Sequence, residues 1–473
     1  MTTSEEALLK KYYHSLSAEA EEVAELKLNA AIRGGISRSR KYHLSPGKRY
    51  GLGIAAVLAM LLLFSLPWAS EALKPGGKAQ GSQAAAQNMD WIKPYSSIAG
   101  GDSTVTTAFE AGLIKQLSGA TAEKDGYVLT VDGIAADRMG IILLYTLENK
   151  NEKALDYTFS VTDSKDAPLG LGQISGSSLN SKKTGIQRGY QIMQWNINYS
   201  KLPEQIRMKA SVIAAEPAGE IEEGILQYEN ATEISVPVTL DLNSIAKSGE
   251  TLAMNETVTV AGQDITIGDV YIAASGIYVE TDYSAQNSME IFSLDRPSIL
   301  LGSGNDYTGL YSKSTRTVEG RQFLVFPGSD ISSGSMKLKF DGIIGMEKSA
   351  QEFIVDTVKG QIIKGPDGRL RLASATEANR IVLDYYRVSN RSAADTVNVI
   401  LDQTFKDGAG NLHDTAKRSF TVLPADPANA NEKLPPYQYT YNLGTAKLQQ
   451  PLTFKIISYP NQIKAKAELI LRK

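Results

Sequence analysis

Three histidines, no cysteine and 52 acidic side chains set the chemistry this chain can support. Without Cys there is no thiolate nucleophile, no disulfide framework and no thiolate zinc or iron–sulfur site. His14, His43 and His413 are too scattered for a histidine metal centre, so no metal ligand and no cofactor-binding residue is assigned. A Ser-His-Asp triad needs a His held beside both partners. His413 stands instead in KDGAGNLHD, between strand-like runs at 399–405 and 419–422. Asp407, Gly408, Gly410 and Asn411 make that string a turn, and it lacks the alternating Asp/Asn ligands and bidentate Glu of a calcium loop. GLGQISG at 170–176 and GSGN at 302–305 are glycine-rich. Neither leads into Lys-Ser/Thr or sits in a βαβ unit, so both read as loops and not phosphate cradles. No local cluster of Glu, Asp and Trp marks a sugar cleft. No catalytic residue is assigned, and the chain reads as a non-enzyme.

Bulk properties agree. The 49 Lys and Arg nearly balance the acids, giving a formal charge of −3 and a pI near 5.9, which argues against direct nucleic-acid binding by charge. At 42% hydrophobic and 21% charged residues, the 473-residue chain is globular in class.

Residues 51–70 read GLGIAAVLAMLLLFSLPWAS, twenty residues without a charge. A helix of that length spans about 30 Å, the thickness of a bilayer's hydrocarbon core. Six cations and no acid lie between Arg33 and Arg49 (Arg33, Arg38, Arg40, Lys41, Lys48, Arg49), whereas 71–90 hold Lys74 and Lys78 beside Glu71 and Asp90. The positive-inside rule places the N-terminus in the cytoplasm and the rest outside. Tyr50 and Trp68 stand at the two ends of the span. A cleaved signal peptide is the rival reading, with Ser70-Glu71-Ala72 as the cleavage site, but about fifty residues precede the run, far beyond a signal peptide's short n-region. An exported chain without Cys also suits a bacterial envelope that does not rely on disulfides.

Residues 1–49 predict two short helices. Ser4 caps the first, Glu5 and Glu6 suit its N-terminus, and Leu9, Tyr12, Tyr13 and Leu16 share a face. Ser17 caps the second, from about Ala18 to Ile32, with Val23, Leu26 and Ala30 in its stripe and Gly34-Gly35 as its stop. Two such helices bury too little surface to stand alone, so their faces need a partner. Leu9, Tyr12, Leu16, Val23 and Leu26 are the candidate partner-binding residues, and His14 and His43 read as solvated side chains.

Residues 71–95, rich in Gly, Ala, Gln and Ser at 71–90, predict a flexible linker. A helix is expected from Asp102 to Leu117, with Val105, Phe109, Leu113 and Leu117 four apart. Then an internal repeat begins. YVLTVDGIAADRMGIILLYTLENKNE from Tyr127, QDITIGDVYIAASGIYVETDYSAQNS from Gln263 and GRLRLASATEANRIVLDYYRVSNRSA from Gly368 each read as strand, polar turn, strand. Val131, Ile267 and Leu372 share one position; Ile142, Ile277 and Ile381 nearly share another. The copies start 136 and 105 residues apart, so each opens a whole domain. IRMKASVIA and ISVPVTLDL are expected to close the first, MKLKFDGII and QEFIVDTV the second, PLTFKIISYP and KAELILRK the third. The 22 Tyr, alternating in strands such as 383–388, read as packing, with polymer or protein binding as the alternative.

The fold class is therefore mainly β: short N-terminal helices, one transmembrane helix, then tandem antiparallel immunoglobulin-like β-sandwich domains. The expected boundaries are 1–49 (cytoplasmic), 50–70 (span), 71–95 (linker), 96–243 with a leading helix, 244–352 and 353–473. The stretch AFEAGLIKQLSGATAEKDGYVLTVDGIAADRMGIILLYTLEN, behind a short helical segment, a span and a linker, resembles an extracellular domain of unknown function in Gram-positive membrane proteins grouped with anti-sigma factors. MNETVTVAGQDITIGDVYIAASGIYVETDY resembles a second domain of unknown function that trails it. The resemblance spans some 300 residues and implies a membrane-anchored regulator. Its cytoplasmic segment would hold an extracytoplasmic-function sigma factor while the ectodomain senses the envelope. The zinc-binding motif of one anti-sigma class is absent with the cysteines. The alternative is a structural or adhesive envelope protein binding wall polymer or another protein.

Overall fold

The computed structural model describes residues 89–151, 155–176, 185–214, 231–303, 306–329, 334–374, 376–386, 397–422 and 437–473. The segment expected to be cytoplasmic (1–49), the uncharged run at 51–70 and most of the expected linker lie outside the described residues. Among the described residues no helix is long and apolar enough to cross a membrane.

Two short helices open the described chain, α1 (Lys93–Ala99) and α2 (Ser103–Glu110). α1 begins inside the stretch expected to be linker. α2 covers only the first half of the helix expected from Asp102 to Leu117. Asp102 caps it by accepting from Thr104 N at 2.9 Å, but Gly112 at φ 64° turns the chain left-handed, and Leu113 is left exposed. Glycine adopts that φ without a Cβ penalty, so the apolar spacing beyond it never becomes helical.

The first β domain holds β1 (Lys115–Gln116), β2 (Thr121–Lys124), β3 (Tyr127–Ala136), β4 (Gly140–Asn149), β5 (Leu155–Thr162), β6 (Gly170–Gly176), β7 (Gly185–Trp195), β8 (Gln205–Ala214) and β9 (Thr232–Thr239). One sheet runs β1-β3-β4-β7-β6, with β2 also on β3; the other runs β5-β8-β9. Leu129, Val131, Leu143, Tyr145 and Trp195 of the first sheet meet Tyr157, Met208, Ala210 and Val236 of the second in one core. β6 corrects the loop expected at 170–176. It is an edge strand whose pairing with β7 slips twice, and an irregular edge tolerates glycine.

After α3 (Leu242–Lys247) come β10 (Glu250–Leu252), β11 (Glu256–Val260), β12 (Gln263–Ala273), β13 (Gly276–Tyr283), β14 (Met289–Asp295), β15 (Ser298–Ser303), β16 (Asp306–Tyr311), β17 (Ser314–Val318), β18 (Arg321–Phe326) and β19 (Ser335–Glu347). Next are β20 (Glu352–Asp356), β21 (Gln361–Lys364), β22 (Leu370–Leu372), β23 (Arg380–Tyr385), β24 (Ile400–Lys406), β25 (Leu412–Asp414), β26 (Lys417–Val422), β27 (Tyr437–Asn442) and β28 (Leu452–Ser458). β29 (Gln462–Arg472) ends the chain's secondary structure. All strand pairs among the described residues are antiparallel.

Each sequence repeat is a hairpin: β3–β4, β12–β13 and β22–β23. Each hairpin opens a sheet of one order, namely β3-β4-β7-β6, β12-β13-β18-β17 and β22-β23-β27-β26. Val131, Ile267, Ile277 and Ile381 are buried in their cores, as the period-two alternation requires. Ile142, also fully buried, is absent from the first core and belongs to the sheet's other face by alternation.

The opposite sheets also correspond: β5-β8-β9, β14-β19 with β29, and β24-β28-β20. The third strand of this trio has a different origin each time. β9 follows β8 directly. β29 reaches β19 only after β20–β28 have formed a separate core, and Leu338 and Lys339 pair with β15 on one edge and β29 on the other. β20, read from the sequence as the close of the second domain, pairs with β28 in the third. KAELILRK, read as the close of the third, lies in β29 and buries Leu469 and Leu471 in the second. The third β domain is thus inserted between the last two strands of the second. Chain entry and exit meet there: Gly345 N donates to Asn461 O at 3.0 Å, and Asn461 Nδ2 donates to Gly345 O at 2.9 Å. Adjacent termini are what make an insertion geometrically compatible with a host fold.

Candidate functional site

None of Leu9, Tyr12, Leu16, Val23 and Leu26 lies within the described residues, so the structure neither gathers nor separates them. His413 does lie within them. Its Nε2 is 3.1 Å from Asp407 Oδ2, and its ring stacks on Phe405 at 5.5 Å between centroids. Asp407 Oδ1 accepts from Ala409 N at 3.0 Å and Asn411 N at 2.9 Å. This is a closed turn joining β24 to β25. Burial raises the Asp407 carboxyl, but the Asn411 N–H and His413 outweigh it and bring it down to about 2. A depressed folded value stabilises above the unfolded value near 4, and the benefit is lost as pH falls from there through about 2. The protection of β24 and β25 amides, taken relative to their intrinsic exchange rate at each pH, should therefore fall over that interval, and Asp407→Asn should flatten the dependence.

A buried polar cluster sits where the first two domains meet. It is built from the turns of the first two repeats. Asp137 follows β3, is 0% exposed, and accepts from Met139 N at 2.8 Å and Gly140 N at 3.0 Å. Its other oxygen accepts from Ser275 N at 2.8 Å, in the turn between β12 and β13. Trp195 Nε1 donates to Asp137 O at 2.8 Å. From β17, Arg316 donates to Met139 O at 2.8 Å and to Trp195 O. Ser275 Oγ and Tyr278 Oη share a hydrogen at 2.7 Å. Gly140 permits the contact: a Cβ there would stand 2.6 Å from Met193 O and 3.0 Å from Ser275 Oγ.

Around this core the junction widens. Arg138 lies over the Tyr271 ring at 4.2 Å and donates to Thr251 Oγ1 at 2.7 Å. Met139 packs against a cluster of Tyr271, Tyr278, Phe323 and Val325 on the outer face of the second domain's sheet. α2 crosses the same boundary, with Asp102 paired to Lys313 at 3.1 Å and Thr104 Oγ1 accepting from Gly328 N at 2.9 Å.

Burial raises Asp137, with the N–H groups of Met139 and Ser275 opposing it. Burial also raises Tyr278, and Asp137 adds to that, so its hydroxyl stays protonated. Arg316 is lowered by burial to about 10 and remains charged at neutral pH. The arrangement cannot exchange protons with a substrate, because its carboxylate and hydroxyl are sealed from solvent. What it can do is hold two domains in one orientation through directional bonds. Among the described residues no group of three or more His, Asp or Glu could hold a metal ion.

Sequence reasoning missed Asp137, Ser275 and Arg316. A usable signal existed: the turns of two repeats both precede a glycine, Gly140 and Gly276, whereas the third has Arg380 there. Alternating tyrosines in the third domain, Tyr385, Tyr439 and Tyr441, are buried in its core.

No family model matches the chain, and no curated protein matches it. Among solved structures, a conserved domain protein from Bacillus anthracis overlaps 53% of this chain and 84% of its own, at 11% identity and a TM-score of 0.31. A likeness that slight carries no argument about fold or function.

Proposed function

We propose that the chain is a single-pass cell-membrane regulator of the anti-sigma type, with an immunoglobulin-like ectodomain. The observation that carries the topology is the charge asymmetry about residues 51–70, six cations and no acid on one flank against a mixed flank on the other. The immunoglobulin-like reading is supported by strand order: the first domain's β3-β4-β7-β6 and β5-β8-β9 follow the ABED and CFG order of a seven-stranded sandwich. Residues 1–49 capture an extracytoplasmic-function sigma factor on the faces of Leu9, Tyr12, Leu16, Val23 and Leu26. Ligand binding by the ectodomain, or cleavage in 71–90, releases it. The buried junction supports such coupling, since two domains held by directional bonds move as one body.

The test is affinity purification of the full chain from membranes, beside a Val23→Asp/Leu26→Asp variant. Capture of a sigma factor by the parent and at least a tenfold loss in the variant is the expected result. Equal capture would reject the assigned faces. A phenotype unchanged on deleting residues 1–32, basic flank retained, would favour an adhesive envelope protein instead.

A further inference from the structure

The second β domain contains a strand that the chain supplies only after the third domain is complete. β29 pairs with β19 from Met336↔Arg472 to Ile344↔Gln462, and it places Leu469 and Leu471 in the second core. Between Glu347 and Gln462 lie about 110 residues, nearly all of the third domain. With that domain folded, the two crossing segments are held side by side. Gly345 and Asn461 exchange two hydrogen bonds, and Ile456 N donates to Gln351 O at 2.7 Å. Tyr459 Oη donates to Asp367 Oδ1 at 2.6 Å, and Arg369 holds the other oxygen of Asp367. These contacts fasten the exit segment to the third domain's own body.

We propose that the third domain is a folding-dependent clip, whose native state holds the ends of β19 and β29 together and so sets how firmly β29 closes the second domain. The reasoning is chain statistics. Bringing together the ends of a flexible loop of n residues becomes less probable as about the 3/2 power of n, close to 10³ for a loop of this length. A folded third domain removes that factor, because its own termini are already adjacent. Anything that binds and stabilises the native third domain therefore tightens the second without touching it. The link is thermodynamic and independent of the membrane reading.

Two full-chain variants test this by hydrogen exchange. In the first, Ile381→Asp with Leu383→Asp puts two charges into the third core from β23, in the sheet opposite β20 and β28. β23 and β27 should lose protection, and β29 with its partners on β19 should exchange roughly 10³-fold faster, while β3 and β4 are unchanged. In the second, residues 348–460 are replaced by a linker of about four Gly and Ser residues, a length suited to a hairpin. Here β29 should keep the protection of the parent. Unchanged β29 exchange in the first variant overturns the proposal, because the strand then holds unaided. Lost protection in the second also overturns it, because contacts with the third domain, and not closure of the chain, would then be what holds β29.

Discussion

Removing residues 462–473 unfolds the second β domain while the first and third stay folded. β29 carries Leu469 and Leu471, both almost fully buried, and Ile463, Ala465 and Ala467 pack against the same core. It also satisfies the backbone of β19 over most of that strand's length. Truncating one buried leucine costs about 2–5 kcal/mol, and losing the strand removes two together with a ladder of hydrogen bonds. That sum is comparable with the whole stability of an ordinary domain, about 5–15 kcal/mol. The third core contains no β29 residue, and neither does the first. Limited proteolysis should therefore release first and third domains as resistant fragments and digest β12 and β13. Resistance of the second domain in the truncated chain would show that β29 is dispensable. Leu469→Ala is the milder companion, lowering the second domain's stability by about 2–5 kcal/mol.

Asp137→Ala separates the first two domains at a cost of about 3–5 kcal/mol. Three N–H groups, the buried ones of Gly140 and Ser275 and the half-buried one of Met139, lose their acceptor together. Arg316, buried and donating to the Met139 and Trp195 carbonyls, also loses the electrostatic attraction of Asp137. The isosteric Asp137→Asn distinguishes charge from shape. Its oxygen can still serve Met139 and Gly140, but its NH₂ then points at the Ser275 N–H, donor against donor. It should retain part of the stability, with a loss of about 1–3 kcal/mol. Calorimetry reads both changes, and small-angle scattering reads whether the two domains still keep one orientation. If Asp137→Ala melts as the parent does and keeps its scattering profile, the junction is not held by this carboxylate.

Both results depend on features that a linear reading represents unequally. Alternation at Leu129–Val131 or Ile265–Ile267 is a local property, since a strand must show one side to a core whatever core it meets. The hairpins of the three repeats were legible for that reason, and so was the His413 turn, written in Asp407, Gly408, Gly410 and Asn411. The helix after Asp102 was legible only to Gly112, because apolar spacing continued past a residue whose backbone turned away. At 170–176 glycine count pointed to a loop, whereas an edge strand pairing on one side needs little from its side chains. The candidate partner-binding face at Leu9 to Leu26 is a statement about sequence alone.

What the sequence by itself determined is the strand pair that opens each domain, the alternation along it and the charge asymmetry about residues 51–70. Each follows from periodicity or composition within a short window. Only the tertiary structure decided that Asp137 meets Ser275, 138 residues away, and that β29 crosses back to β19. The physical reason is common to both. A polar turn can be satisfied by water or by another domain, and the Leu469–Leu471 alternation would fit any of three similar cores. Which partner is taken depends on closure of the chain around an inserted domain, and no local pattern encodes that.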